Sequence, residues 1–542
     1  MNLSAKQRTG GQQALATLLF LICAYFLTKA AVKSNTNYIA GDGVEYVLMA
    51  EALNNHLSPD IHKEDVFSYR NYVLKSWPWE QDLKHQSFDQ MEAYLKEPFS
   101  VGRFEQAVVS SNSGQSLSIH FFTYPLLVVP FRRLLNWTYL HPTNIFFIAN
   151  AFLILGVIFY LLFYSKFTFV RSVLYAFLFL YSAVHWYLLW THPEVFVACF
   201  AFLGLLLYDD RYYLWGIFLT SIAATQFQPL ALVVLTMVVF RLVKGGFKVK
   251  NIVGLGLSSF WVILPSIFYY YHFGVTNLVK ELGYLDNKYV GLGRIYSLFL
   301  DLDQGMILSF PVLMFAYLFL VVKKGIQRIK YRDNTFSFSD FIPLLMLVII
   351  LIASTMEGWN HGQSVSNRYV VYIGTLLLFH FMVLLERLDL RPLKSRLLLI
   401  VLISTQIYTI NYFGGFNTNY WGDVIRKKIS AFALDHFPDW VLNEPKVFAA
   451  RTLVAYKNEE ELYPGVFYKN EAGAFRKAMI HEDHLDQVQI EGLDPSDLAK
   501  LVSGHFSQYG FVFFTTKDIE KAFPASKAAL ITRNLSSKSV AE

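Results

Sequence analysis

Cysteine is almost absent from this chain of 542 residues, which contains only Cys23 and Cys199. Both lie inside apolar runs, so the sequence excludes a disulfide framework and a zinc site built from cysteines. Charged residues are also sparse, at 16% of the chain. No stripe of basic residues with interleaved aromatic residues is present, and we therefore expect no nucleic-acid partner.

Hydrophobic residues, by contrast, make up 54% of the chain and aromatic residues 17%. Long apolar runs recur from about residue 14 to residue 413 and then stop. Because a chain in lipid must bond its backbone polar groups within its own helices, these runs predict a polytopic α-helical membrane protein. No small-residue cleavage site follows the first run, 14–32, which we interpret as an anchor rather than a removed signal peptide.

The distribution of basic residues predicts the topology, because cytoplasmic loops are enriched in lysine and arginine. Lys6 and Arg8 place the N-terminus in the cytoplasm, and the basic segments 244–250, 323–332 and 387–396 belong on that same side. The apolar runs lie near 14–32, 119–135, 144–163, 172–190, 193–208, 212–226, 229–243, 252–272, 305–322, 341–355, 369–385 and 397–413. If all twelve crossed the membrane, the basic segments and the N-terminus would fall on opposite sides.

One run must therefore fail to cross, and 119–135 is the best candidate. It is short, contains Pro125 and Pro130, and ends in Arg132 and Arg133. We interpret it as re-entrant or interfacial. About eleven transmembrane helices remain (an odd number, 11–13), and both the 34–117 loop and the C-terminus lie outside.

The chain then divides into a membrane domain, 1–415, and a small extracytoplasmic α+β domain, 416–542. Hydropathy falls after residue 415. Asp494, Pro495 and Asp497 are typical of a helix start, with a cap, a first-turn proline and a first-turn acid. The segment GFVFFTTKDIEKAF, at 510–523, predicts a strand followed by a helix.

The first outer loop, 34–117, begins with two acids, Asp42 and Glu45. Apolar residues recur after them at helical spacing, which predicts interfacial helices on the membrane surface. Asp42 and Glu45 are spaced as a capping box, in which each side chain bonds a backbone N–H at the helix start. A carboxylate at this position is also suited to act as a general base on a hydroxyl group. Both interpretations stay open on the local sequence.

Further polar residues fall on the same outer face. Arg368 stands at the outer start of a span, where a charge is costly without a function, and His192 opens another span. The remaining candidates for substrate binding on outer loops are Lys288, Arg294, Trp359, His361 and Gln363. Each alone has a plainer explanation, such as a cation that reaches the headgroups or a ring in the interfacial aromatic belt. Their convergence on one face favours a site.

Several segments, in this order and spacing, give the chain its resemblance to a known superfamily. They are GDGVEYVLMAEAL (41–53), SIHFFTYPLLVVPF (118–131), THPEVFVACFAFL (191–203), LDLDQGMILSFPVLMF (300–315) and WNHGQSVSNRYVV (359–371). Residues 14–413 resemble the GT-C superfamily of membrane glycosyltransferases, near the bacterial protein mannosyltransferase and aminoarabinose transferase families.

The resemblance implies an inverting transfer of a sugar from a polyprenyl-phosphate carrier to an acceptor hydroxyl group. It implies the outer face of a bacterial inner membrane, membrane lipid as a partner, and a glycan, lipid or protein as acceptor. Asp42 stands where such families have their catalytic base. Many relatives have two adjacent acids, whereas here Gly43 separates Asp42 from the next acid, Glu45. The resemblance implies no particular cofactor, and whether the two acids share a divalent cation stays open.

Two other function classes were weighed against the enzyme. A transporter or flippase of lipid-linked sugars is expected to show internal repeats and charges near mid-membrane. No convincing repeat is present, and the charges lie at span ends. An envelope scaffold or sensor would not need acids in its first outer loop.

Overall fold

The computed structural model describes residues 8–33, 42–76, 108–138, 140–302, 304–332, 336–356, 366–389, 392–415, 428–441, 448, 465–470, 472–488, 494–503 and 511–537. They belong to two compact units. The first is drawn from Met1–Val290, Ser309–Trp359 and Arg368–Thr418, and the second from Gly291–Leu308, Asn360–Asn367 and Asn419–Glu542.

The described elements are mainly α-helices. In chain order they are α1 Gly10–Lys33, α2 Gly43–His56, α3 Lys63–Ser76, α4 Thr123–Leu134, α5 Pro142–Phe159, α6 Phe169–Leu180, α7 Glu194–Asp209, α8 Tyr213–Ala224, α9 Ala231–Gly245, α10 Val249–Ser259, α11 Leu264–Phe273, α12 Leu278–Glu281, α13 Leu292–Leu300, α14 Met306–Ser309, α15 Pro311–Tyr331, α16 Ile342–Ala353, α17 Arg368–Leu385, α18 Leu393–Tyr412, α19 Lys428–His436, α20 Pro495–Ser503, α21 Thr516–Ala522 and α22 Ala525–Ser537. The strands are β1 Val108–Ser110, β2 Ser116–Ser118, β3 Gly465–Lys469, β4 Phe475–His481 and β5 Phe511–Thr515.

Five helical segments among the described residues are long and apolar enough to cross a membrane. They are Gly10–Lys33, Pro142–Tyr164, Gln228–Gly245, Arg368–Leu385 and Leu393–Tyr412. A bent pair, Val249–Val262 with Leu264–Phe273, makes a sixth if it is one span. The chain is thus helical with membrane-type segments, as the sequence predicts, whereas eleven crossings stay a prediction.

Some apolar runs form helices shorter than the runs themselves. The run 172–190 breaks after α6, where the Ser182 side chain caps a short 3-10 helix, Ala183–Tyr187. Within 119–135, α4 has twelve residues. At 1.5 Å per residue it is about 18 Å long, well below the roughly 30 Å of a hydrocarbon core. Helices α6, α8 and α16 are equally short, so the non-crossing of 119–135 stays a prediction.

Helix α2 was expected to have one apolar face, but from Gly43 to Leu53 every residue except Val44 is buried, and only its last turn is exposed. Its position at the membrane surface stays a prediction. Within the buried part, Arg132 of α4 donates to both carboxylate oxygens of Glu51, at 2.6 and 3.3 Å. The guanidinium of Arg132 also lies 3.8 Å from the ring centroid of Tyr72 in α3. A bidentate pair of this kind fixes the mutual orientation of α2, α3 and α4.

A buried amide holds the segment that precedes α7. Asn150 of α5 accepts a hydrogen bond from Tyr124 of α4 and donates to the carbonyl oxygens of Leu188 and Trp190.

Glycine permits a close contact between α7 and α8. A Cβ on Gly204 would lie 2.8 Å from the carbonyl oxygen of Gly216, which explains why small residues stand at this crossing.

The second unit contains an antiparallel sheet of order β3-β4-β5. Along β5, Val512 and Phe514 join one apolar cluster and Phe511 and Phe513 join another, so both faces of this strand are covered. Two predictions are confirmed here. Asp494 accepts a hydrogen bond from the backbone N–H of Asp497 at 2.8 Å and caps α20. From residue 511 onward, the predicted strand and helix are β5, Phe511–Thr515, and α21, Thr516–Ala522.

Candidate functional site

Asp42 stands immediately before α2 in a helical backbone conformation, with φ −57° and ψ −17°. A capping residue normally has an extended backbone, which lets its side chain turn back onto the first N–H groups. The Asp42 side chain makes no capping hydrogen bond. The capping-box interpretation of Asp42 and Glu45 is therefore wrong, and both carboxylates are directed to other groups.

Three basic side chains surround Oδ2 of Asp42. Arg368, the first residue of α17, donates to it from Nη1 at 3.2 Å. His120 Nε2 lies 3.7 Å from the same oxygen, and His192 Nδ1 lies 3.9 Å from it. The Asp42 side chain remains 32% exposed, whereas that of Arg368 is only 14% exposed. The carboxylate is thus held by cations and still open to a ligand.

The second acid, Glu45, lies one helical turn deeper and is almost fully buried. It accepts a hydrogen bond from the hydroxyl group of Ser118 in β2, and its Oε2 lies 3.0 Å from His120 Nδ1. One imidazole therefore links the two carboxylates. The Tyr46 ring contacts both imidazoles, with centroids 5.4 Å from His120 and 5.8 Å from His192.

The two carboxylates control the charge of His120. Burial alone lowers the pKa of His120, but Glu45 and Asp42 outweigh it and raise that pKa to about 9. Burial raises the pKa of Glu45, and the neighbouring His120 opposes the rise. We expect His120 to be an imidazolium at neutral pH, facing the two carboxyl groups.

This ion pair makes stability depend on pH. The pKa of His120 is raised above its ordinary 6.5, so its stabilisation is complete below about pH 6.5 and is lost as pH rises through about 9. We expect the melting temperature of the wild type to fall between pH 7 and pH 10 more than that of His120→Gln. Thermal unfolding in detergent across that range measures it, and two parallel profiles would contradict the assignment.

A cavity of about 350 Å³ opens beside this cluster. Its lining includes His120, Arg368 and Glu194, with aromatic side chains from several elements: Tyr46, Phe227, Tyr269, Tyr369 and Tyr372. Phe227 and Tyr372 stack with their centroids 4.2 Å apart. Glu194, in the first turn of α7, is fully buried, and neither of its carboxylate oxygens is hydrogen-bonded to another described residue.

The structure brings four of the predicted site residues together: Asp42, Glu45, His192 and Arg368. Arg294 lies in α13 of the second unit, where it is buried. The backbone of Lys288 forms part of a short 3-10 helix, and its side chain lies outside the described residues, as do Trp359, His361 and Gln363.

The sequence interpretation missed His120, Ser118 and Glu194. A local signal was present only for Glu194. Glu194 is an acid at the start of an apolar run, which is as costly a position as that of Arg368. His120 follows Ser118 in a segment already singled out, but a single histidine beside an apolar run gives no sign of its partner 75 residues away.

Asp42, Glu45 and His120 each offer one ligand atom within 4.8 Å of the others, so they form a group of metal-binding type. A divalent cation bound there would compete with the proton that His120 holds.

No protein-family model, curated protein or solved structure matches this chain. What the site does must therefore be argued from its geometry. An accessible carboxylate among cationic groups, beside an aromatic cavity, can accept a proton from a hydroxyl group while the cations stabilise a nearby anion.

Proposed function

We propose that the protein is an inverting glycosyltransferase of GT-C type, which moves a sugar from a polyprenyl-phosphate donor to an acceptor hydroxyl group. The observation that carries the proposal is the arrangement around Asp42. It is the partly exposed acid of the cluster, and it contacts Arg368 and His120, which both line the cavity. The proposed base, Asp42, is therefore adjacent to the two cationic side chains that we propose bind the phosphate, Arg368 and His120.

In the proposed reaction, the acceptor oxygen attacks the anomeric carbon of the donor sugar. A new carbon–oxygen bond forms as the bond from that carbon to the phosphate oxygen breaks, and the electron pair leaves with the phosphate. The proton of the acceptor hydroxyl group passes to the carboxylate of Asp42. Attack from the face opposite the leaving phosphate inverts the anomeric configuration.

Arg368 and His120 have the charge that the leaving phosphate requires. Negative charge grows on the phosphate as the bond breaks, and fixed cationic donors stabilise it more than they stabilise the intact donor. Arg368 is suited to phosphate because its guanidinium offers several N–H groups in one plane. Glu45 and Ser118 hold the imidazole of His120 in place.

The cavity has the properties of a sugar site. Its volume of about 350 Å³ is within the range of small-ligand pockets, roughly 300–1,000 Å³. Aromatic faces suit the apolar side of a sugar ring. A buried carboxylate without hydrogen-bond partners is costly, and sugar hydroxyl groups would satisfy Glu194 on binding.

The setting we propose is the outer face of a bacterial inner membrane, with about eleven crossings and the tail from residue 416 outside. Membrane-type helices with exposed apolar side chains support contact with lipid, as on α1, where Leu18 and Leu21 are exposed. Arg368 is the first residue of a membrane-type helix, and we place the lipid-linked phosphate at that end of the span. The acceptor is a glycan, a lipid or a protein.

Sugar transfer by the purified protein in detergent tests the proposal. Detergent abolishes compartments, so a transporter or flippase of lipid-linked sugars would give no product there. We expect transfer from a polyprenyl-phosphate sugar to an added acceptor, with donor loss and product formation in equal amounts. The transporter is favoured if no donor and acceptor from a panel give transfer and the same donor is flipped across vesicles that contain the protein.

The topology gives a separate prediction. Single cysteines are placed at exposed positions Ser113, Lys248 and Asp483 in a background with Cys23→Ala and Cys199→Ala. A membrane-impermeant thiol reagent applied to the periplasmic side should label positions 113 and 483 but not position 248. Labelling of position 248 without position 483 would contradict the arrangement.

A further inference from the structure

A second group of metal-binding side chains lies between the end of α2 and the start of α3. His56, His62 and Asp65 each offer one ligand atom, and the three atoms lie within 4.8 Å of one another. We call these residues the α2–α3 cluster. His56 stands eleven residues beyond Glu45 on the same helix, which is about 16 Å along the axis. It is thus separate from the site around Asp42.

The carboxylate of Asp65 is buried and held in one position. Its Oδ1 accepts a hydrogen bond from the side chain of Asn55, and its Oδ2 accepts one from the backbone N–H of His62, both at 2.8 Å. His56 Nε2 lies 3.1 Å from that same Oδ2. The hydrogen bond from the backbone N–H of His62 caps α3, which explains why an acid stands at position 65. It does not explain why two histidine side chains lie beside that acid.

The two imidazoles lie side by side, with ring centroids 4.6 Å apart and planes at 15°. A carboxylate also holds His62: its Nε2 lies 2.9 Å from Oδ2 of Asp60, whose other oxygen accepts a hydrogen bond from the backbone N–H of Ser116 in β2. Carboxylates that orient metal-binding histidines in this way are usual around metal centres.

We propose that the α2–α3 cluster binds a zinc ion or a similar divalent transition-metal ion, through His56, His62 and Asp65, with water as the fourth ligand. Two imidazoles and one carboxylate are a ligand set for zinc, whereas calcium and magnesium require oxygen ligands throughout. The buried acid is the fixed ligand. The side chains of His56 and His62 are 28% and 49% exposed, so they can rotate to close the site and leave an entry path.

The ion would fasten the end of α2 to the start of α3, and through Asp60 to β2. Glu45 belongs to α2, and Ser118 is the last residue of β2. The proposed role is structural, since the cluster lies away from the cavity. It does not depend on the proposed glycosyl transfer, because binding is measured directly.

The test is metal titration of the full chain in detergent after treatment with a chelator. Co²⁺ reports coordination through the intense visible absorption of tetrahedral Co²⁺ bound to nitrogen and oxygen, and Zn²⁺ competes for the same site. We expect one Zn²⁺ per chain and a higher melting temperature with Zn²⁺. His56→Gln and His62→Gln should each weaken binding by at least about 100-fold.

Two further variants locate the ion. His436→Gln changes a histidine in the second unit and should bind Zn²⁺ like the wild type. Glu45→Gln changes the other group of metal-binding type and should also retain the ion. The proposal is wrong if the wild type binds no Zn²⁺, if His56→Gln and His62→Gln bind as the wild type does, or if Glu45→Gln alone abolishes binding. Melting temperatures in chelator show that each variant is folded.

Discussion

The Asp42→Asn variant should fold and melt close to the wild type but transfer sugar at least about 100-fold more slowly. Asparagine has nearly the same shape and retains a carbonyl oxygen for Arg368. Because Asp42 makes no capping hydrogen bond, the change removes no cap from α2 and costs only roughly 0.3 kcal/mol of helix-dipole interaction. An amide does not take up a proton at neutral pH, however, so the general base is removed. Turnover in the detergent assay and thermal unfolding measure the two effects.

Glu45→Gln is the matched control for Asp42→Asn. It also removes one negative charge from the cluster, but its side chain is buried against Ser118 and His120. We expect it to lower the melting temperature and to reduce turnover less than Asp42→Asn does. If Asp42→Asn keeps near-normal turnover while Glu45→Gln does not, the base is Glu45 and the assignment of Asp42 is wrong.

The Arg368→Ala variant should lose about 10²- to 10³-fold in turnover, which corresponds to roughly 3 kcal/mol of transition-state stabilisation. Arg368 faces Asp42 and lines the cavity, where the leaving phosphate is proposed to lie. Its loss removes a cation whose interaction strengthens as the bond breaks. Steady-state kinetics with varied donor concentration should show a fall in kcat and a still larger fall in kcat/KM.

Arg241→Ala serves as the control for Arg368→Ala. Arg241 lies near the far end of α9, where its guanidinium stands 4.4 Å from the ring centroid of Tyr213. It does not line the cavity beside Asp42. We expect its kinetics to match the wild type. Equal losses in the two variants would remove Arg368 from the proposed phosphate site.

Local patterns predicted the elements better than they predicted the site. Hydropathy located the membrane-type helices, and the cap at Asp494 and the strand at 511–515 followed from residue types within a few positions. The burial of α2 was not predicted, because its partners are distant in sequence: Arg132, which pairs with Glu51, is 81 residues away. A local pattern does not contain a partner at that distance.

The same reason separates the site residues that were predicted from those that were missed. Asp42, His192 and Arg368 were found because a charged or polar group at the end of an apolar run is costly, which is visible in one segment. Glu194 has the same local signal and was overlooked, although its cavity is not visible in the sequence. The role of His120 depends on two carboxylates supplied by another segment. Those relations exist only in the folded chain.

Mass spectrometry of the lipids that remain bound to the purified protein tests the central claim most directly. Asp42→Asn should retain the donor site but not consume the donor. We therefore predict that it copurifies with a lipid whose mass equals a polyprenyl phosphate plus one sugar, which also identifies the sugar. The wild type and the Arg368→Ala variant should each carry less of this lipid than Asp42→Asn does. If all three proteins carry only bulk phospholipids at equal levels, the proposed lipid-linked donor site is contradicted.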